Sequence, residues 1–339
     1  MATIGLDELG LAARNHGFPL EMLREAITPA GIHYLLIHFD IPAIDGETWR
    51  LEVGDTSFSL HELKERERAT LPVTFECAGN GRALLESHEP SQPWLQEAVG
   101  TAEWTGARLA PLLRETGLAD GAEEIVFTGA DRGFQGDVEH AYARSLSLEE
   151  ALRDDVLLAY EMNGAPLLPQ HGFPLRLIVP GWYGMTHVKW LLRIEGSALP
   201  FDGWQQQEAY RIEDIPVTRM LPRALLVPPG IPDFLTRRRF VAPGPVELYG
   251  RAWSGLGTVE RVEVSADDGE TWADAALDEV LGLYAWRAFR FVWDATAGDH
   301  QLCSRATDSD GNAQPLAATW NHGGYCNNAV QRVPVTVSL

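Results

Sequence analysis

Cys77 is the residue whose surroundings are best suited to chemistry. It lies in Phe75-Glu76-Cys77-Ala78-Gly79-Asn80-Gly81-Arg82, where backbone-permissive residues and a guanidinium surround a single sulfur. The other cysteines, Cys303 and Cys326, stand far along the chain, so neither a four-ligand zinc site nor a CxxC redox pair can be assembled. A lone cysteine is most often a buried core residue. As a ligand, its thiolate suits a transition metal, and a metal held by one side chain draws its remaining donors from an organic cofactor. Gly79, without a Cβ, lets backbone approach such a group closely. Arg82 can bring a fork of paired donors to an oxyanion on the open face; the plain alternative is a surface ion pair of small energetic worth.

Cys77-Ala78-Gly79-Asn80-Gly81-Arg82 resembles the metal-cysteine motif of the sulfite oxidase family of molybdenum enzymes. Similar segments follow along nearly the whole chain: Arg14-Asn15-His16, Ala159-Tyr160-Glu161-Met162-Asn163-Gly164, His171-Gly172-Phe173-Pro174-Leu175-Arg176, Val179-Pro180-Gly181-Trp182, Val188-Lys189-Trp190, and a tail from Trp320-Asn321 through Asn327-Asn328 to Arg332-Val333. The resemblance implies a molybdenum–pyranopterin cofactor with Cys77 as the metal ligand. It implies cofactor contacts from Asn15, His16, Asp131, His171, Arg176, His187 and Lys189. It also implies a substrate side built from Arg14, Arg82, Tyr210 and Trp94. A tyrosine such as Tyr210 is otherwise a packed core residue with a satisfied hydroxyl.

The activity implied is oxidation of sulfite to sulfate with an external electron acceptor, a cytochrome first and dioxygen second. No CxxCH haem-attachment motif is present, which predicts a haem-free chain. Relatives in the same family handle sulfane sulfur, nitrate or sulfoxides, so a reductase of a sulfoxide or nitrate is the alternative. A non-enzymatic, dimerising β-sandwich protein is a third reading. Two departures bear on the choice. Gly323 follows Trp320-Asn321-His322 where animal and plant sulfite oxidases place an arginine, and Met185-Thr186 replaces an Ala-Arg pair. The pocket is expected to be less cationic than theirs.

The 339 residues carry 48 acidic against 27 basic side chains, a formal charge of -21. Such a chain is a poor partner for nucleic acid or an anionic membrane surface and attracts a basic redox protein instead. A small anionic substrate would need a local cluster of arginines. The sequence has no run of about 18 apolar residues, and its first residues lack a basic, apolar or twin-arginine leader pattern. Both point to a cytoplasmic protein, or to a periplasmic one if a leader has been removed.

The elements that must position these residues read as α+β, a mixed domain over 1–222 followed by a β-sandwich over 223–339; the resemblance implies that the first binds molybdopterin and that the second is immunoglobulin-like and makes a homodimer. Strands are expected at 49–53, 73–76, 125–128 and 175–179. Helices are expected at 60–67 and 109–115, and another opens at Ser147 with Glu150 completing its cap. Seven prolines between 216 and 245 mark a linker or meandering entry. Alternating runs at 246–251, 259–265, 286–293 and 300–307, with turns at Asp267-Asp268-Gly269 and Asp308-Ser309-Asp310-Gly311-Asn312, suit a sandwich.

Overall fold

The strand Arg68–Glu76 alternates exposed and buried side chains at its start and buries its last four residues, so it enters the protein interior just before Cys77. It pairs antiparallel with Val99–Arg108, which pairs in turn with Leu157–Met162; Ala165–Pro166 and Arg176–Ile178 complete this sheet. A second sheet runs in the order Thr56–Ser59, Arg50–Val53, Leu191–Ser197, Glu124–Gln135, Val138–Ser147, with a parallel pair between Arg50–Val53 and Leu191–Ser197. Leu51, Ile125, Phe127 and Leu146 of this sheet pack with Leu158 and Leu177 of the first, and with Leu109, Leu112 and Leu113 of the helix Leu109–Glu115. That i, i+3, i+4 stripe is what makes the short helix a core element. The computed structural model describes residues 4–86 and 88–338, so the outermost ends of the two expected domains, residues 1–3 and 339, fall outside it.

Two sheets form the C-terminal sandwich. One contains Arg223–Leu226, Gly244–Trp253, Arg287–Ala295 and Ala276–Leu277. The other contains Ile231–Pro232, Arg239–Val241, Val333–Val337, Gly298–Asp308, Val259–Ser265 and Ala273–Asp274. Inward residues Leu226, Leu248, Val262, Phe289, Leu302 and Val335 fill the space between them.

The proline-rich stretch is not a loose linker. Its strand Arg223–Leu226 is wholly buried and pairs with Gly244–Trp253. The helix expected at 60–67 is shorter, Leu60–Lys64, because the chain must reach the strand that starts at Arg68; Ser59 and Glu62 close its capping box. Ser147 Oγ accepts from the Glu150 amide at 3.3 Å, as its cap reading requires.

The sandwich also packs against the N-terminal domain. Strand Arg68–Glu76 lies at the border of its sheet, and its free side is met by the Thr74 amide donating to the Tyr284 carbonyl at 2.9 Å and the Trp286 amide donating to Thr74 Oγ1 at 2.7 Å. These bonds satisfy edge groups that would otherwise stand open.

Candidate active site

Two chambers open beyond the end of strand Arg68–Glu76, and Leu36, His38, Cys77 and Tyr210 line both. The first encloses about 620 Å³ with its mouth and carries Asp131, His171, Arg176, His187 and Lys189. The second encloses about 790 Å³ with its mouth and carries Asn15, Arg82, Gln92, Trp94 and Tyr325. Cys77 therefore stands where a chamber carrying Arg176 and Lys189 meets a second one.

Its loop is shaped for that position. The Cys77 amide donates to the Ala98 carbonyl at 2.9 Å, and Asn80 fastens the turn by donating to Glu76 Oε1 and accepting from the Ala98 amide. A Cβ at Gly79 would stand 2.8 Å from the Arg82 guanidinium, so a side chain there would push that group from its place. Gly81 has φ of 92°, which a side chain resists. Burial pushes the Cys77 thiol up, while Arg82, the Gly79 amide and the Trp94 indole oppose it by favouring thiolate. Among the described residues Trp94 Nε1 has no hydrogen-bond partner, so its pull on the sulfur is a longer-range electrostatic one. A thiol held protonated by burial is a poor nucleophile; a bound cation would deprotonate it outright.

In the first chamber the Arg176 guanidinium donates to the His171 and His187 carbonyls at 2.9 and 3.2 Å and lies over the rings of Phe75 and Trp104. Burial brings it down to about 9, so it remains charged at neutral pH. Its Nε is buried without a partner among the described residues. Lys189 Nζ donates to the Leu36 carbonyl at 2.8 Å; burial pushes its ammonium down and Asp131 opposes this. Asp131 reaches the chamber because the hairpin Glu124–Gln135/Val138–Ser147 shifts register between Thr128 and Arg132, a bulge that re-aims the side chain. Burial raises its carboxyl.

His187 is fully committed to the backbone. Its Nδ1 accepts from the Val179 amide at 3.0 Å, which leaves the proton on Nε2 to bond the Trp182 carbonyl at 3.1 Å. It stacks on Phe75 at 3.8 Å and supports the chamber wall. His171 Nε2 similarly meets the Ala30 carbonyl at 2.9 Å.

In the second chamber Arg82 Nε donates to the Gly323 carbonyl at 2.7 Å, and its guanidinium lies over the Tyr325 ring. Asn15 donates to Gln92 Oε1 and accepts from the Ile37 amide at 2.7 Å, which holds segment 35–38 against the cavity. Tyr210 has φ of 54°, a left-handed backbone rare for an aromatic residue. That conformation aims its hydroxyl at His38 Nε2, 2.5 Å away. Burial holds His38 down to about 3 and raises the phenol, so the pair is neutral at physiological pH.

Two residues named from the sequence are not brought into either chamber. Arg14 ends the helix Leu6–Arg14, with its side chain 45% exposed and donating to the Phe39 carbonyl at 2.6 Å and to Asp40 at 3.4 Å. His16 is exposed, and its backbone bridges Leu35. The residues that enter instead belong to the segment bridged to it, where Leu36 and His38 reach the cavity. His33, Tyr34, Tyr142 and Tyr325 also line the chambers without having been singled out. Two histidines within five residues, His33 and His38, in a stretch lacking helical or strand periodicity, were the available signal.

The buried histidines carry a pH consequence. Burial holds His33 at about 4, and His38 and His171 at about 3, all below the 6.5 of an exposed imidazole. The unfolded chain takes up protons that the folded chain refuses, so this stability is fully present above pH 6.5 and is lost as pH falls through the folded values. Burial also holds His187 well below 6.5, and Asp131, with its carboxyl held up, works the other way as one group against four. We expect a urea titration of the cofactor-free chain to show at least ~2 kcal/mol less stability at pH 5 than at pH 7. Equal stability at the two pH values would contradict neutral, buried histidines.

The match to known proteins agrees with this geometry. The description "Oxidoreductase molybdopterin binding domain" fits residues 38–205, and "Mo-co oxidoreductase dimerisation domain" fits residues 229–338. Sulfite oxidase of Gallus gallus is 34% identical over 93% of this chain and 74% of its own length. The chain belongs to the sulfite oxidase family of molybdopterin-dependent oxidoreductases. Mitochondrial sulfite oxidase of Homo sapiens is 35% identical over 94% of this chain, which spans 64% of the human protein's length. A nitrate reductase of Hordeum vulgare is 32% identical over 95% of this chain and 40% of its own. Among solved structures, the sulfane dehydrogenase SoxCD from Paracoccus pantotrophus superposes with a TM-score of 0.81 at 26% identity, covering 95% of this chain and 86% of that one. The family's reach across sulfite, nitrate and sulfane enzymes leaves the reaction to be argued from the chambers themselves.

Proposed function

We propose that this chain transfers an oxygen atom at a molybdenum–pyranopterin cofactor held by Cys77, oxidising sulfite to sulfate and passing two electrons to an external acceptor. The observation that carries this is the placement of Cys77 at the junction of the two chambers. The donor set suits the cofactor. Among the described residues no three His, Cys, Asp or Glu side chains gather as a metal cage, whereas one thiol adjoins a chamber with Arg176 and Lys189 to receive anionic and amide-bearing parts. When bound, the cofactor supplies the redox chemistry and the transferable oxygen. Arg82 offsets oxyanion charge, and the neutral Tyr210–His38 pair offers a hydrogen bond without adding charge to the site.

A second reading, reduction of a neutral sulfoxide, is favoured by one feature. Among the described residues Arg82 is the one Arg or Lys lining the second chamber, and its Nε is already spent on a carbonyl, while Leu11, Leu36, Phe39 and Phe134 supply apolar wall. Steady-state assay of molybdenum-loaded protein separates the two. Turnover of sulfite with ferricyanide supports the first reading; turnover only of sulfoxides or nitrate with reduced viologen overturns it.

The sandwich domain is proposed to form a two-fold homodimer. Ile231, Phe234 and Leu235 of this domain stand exposed together in one short hairpin segment, which agrees with a covered surface. We expect light scattering at micromolar concentration to give twice the chain mass; a monomer mass would contradict it.

A further inference from the structure

Glu76 precedes Cys77 directly, and its carboxylate is wholly occupied by groups outside its own sheet. Arg223 donates to Oε1 at 2.7 Å, Asn80 donates to the same oxygen at 3.1 Å, and the Trp253 indole donates to Oε2 at 2.9 Å. The Glu76 and Arg223 side chains are each 2% exposed. Arg223 opens the first sandwich strand and stands in register with Trp253, so the pair fastens the metal-binding loop to the second domain.

The rest of the loop is held from the same side. The Cys326 amide donates to the Ala78 carbonyl at 2.8 Å, Asn327 Nδ2 donates to the Gly81 carbonyl at 2.8 Å, and Arg82 Nε donates to the Gly323 carbonyl. Arg223 joins these contacts by donating to the carbonyls of Asn80 at 3.3 Å and Asn327 at 2.9 Å. The carbonyls of residues 78, 80 and 81 therefore all end on the sandwich domain or its tail. A buried ion pair is weak evidence of net stability, because desolvation offsets its attraction. Arg223 Nε is also buried without a partner among the described residues, a further cost. Fixing geometry explains these costs better than stabilising the domain junction does.

We propose that Arg223 is a positioning residue for the Cys77–Arg82 loop, which it fixes from the sandwich domain so that the Cys77 sulfur and the Arg82 guanidinium keep their relative placement. The functional consequence rests on Cys77 being the metal ligand, whereas the mechanical claim does not. Arg223→Met alone would strand a buried carboxylate, so the main variant is Glu76→Gln with Arg223→Met, which removes both charges and keeps an acceptor for the Trp253 indole. Arg223→Lys serves as the conservative variant, keeping the charge but replacing the rigid planar group, whose Nη1 meets Glu76 and the carbonyls of Asn80 and Asn327, with a flexible ammonium.

The chain's own cysteines report the result. In full-length protein prepared without cofactor, iodoacetamide labelling of Cys77 and Cys303 is followed by mass spectrometry. Cys303 is buried beside Asp268, on the face of its strand turned away from the space between the two sheets, and reports general loosening of the sandwich domain. Loop release is expected to speed Cys77 labelling at least about tenfold in the double variant, with Arg223→Lys between it and the parent, while Cys303 stays within about twofold. Unchanged Cys77 labelling, or Cys77 and Cys303 rising together, would overturn the proposal. If the double variant does not fold, the same comparison on Arg223→Lys decides it. A parent protein that takes up no molybdenum would overturn the cofactor reading and leave the labelling result standing by itself.

Discussion

Replacing Cys77 with serine is expected to leave a folded chain whose sulfite turnover falls by more than the ~10–100-fold typical of losing a group that merely orients a metal ligand. The fold should persist because the sulfur makes no hydrogen bond the strand depends on, and the loop is held instead by Asn80 and by contacts from the sandwich. Activity should be lost because a hydroxyl is far harder to deprotonate than a thiol and is a poorer match for a soft transition metal. Circular dichroism and thermal unfolding check the first statement and steady-state kinetics the second. A serine variant with full turnover would refute the ligand assignment.

Arg82→Gln is expected to raise the apparent KM for sulfite with little change in molybdenum content. Loss of a charged hydrogen-bond partner costs about 1.5–3 kcal/mol, or about one to two orders of magnitude in kcat/KM. On the proposed sulfite reading the effect falls on KM, because the guanidinium would offset substrate charge within a protein of net charge -21. Arg82 also anchors Gly323, so the substitution loosens the tail, and Arg82→Lys is the control that keeps charge without the fork. A glutamine variant that binds sulfite as tightly as the parent would remove Arg82 from the oxyanion site and favour a neutral oxygen donor.

The sequence made the parts of the site with local signatures legible. Cys77, Gly79 and Arg82 sit in one turn whose chemistry is written in adjacent residues, and both chambers converge on it. The mixed domain followed by a sandwich was likewise readable from alternation and turn residues. Arg14-Asn15-His16 shows where such reading stops. Asn15 is buried and holds the Ile37 amide, but helix Leu6–Arg14 ends with Arg14 facing outward, and the segment bridged to His16 supplies His38 to the cavity. Which of two neighbouring segments enters a site depends on packing that residue types do not record. The moulding of the Cys77 loop was hidden for a related reason, since it joins residue 76 to 223 and 81 to 327. Asp131 reaches the first chamber through a bulge that no alternation pattern forecasts.

X-ray absorption at the molybdenum edge, recorded on purified parent and Cys77→Ser proteins, tests the central claim most directly. The account predicts molybdenum in the parent and one sulfur neighbour fewer in the variant, because Cys77 provides the protein's own sulfur ligand. A parent without molybdenum, or the same sulfur coordination in both proteins, would contradict it.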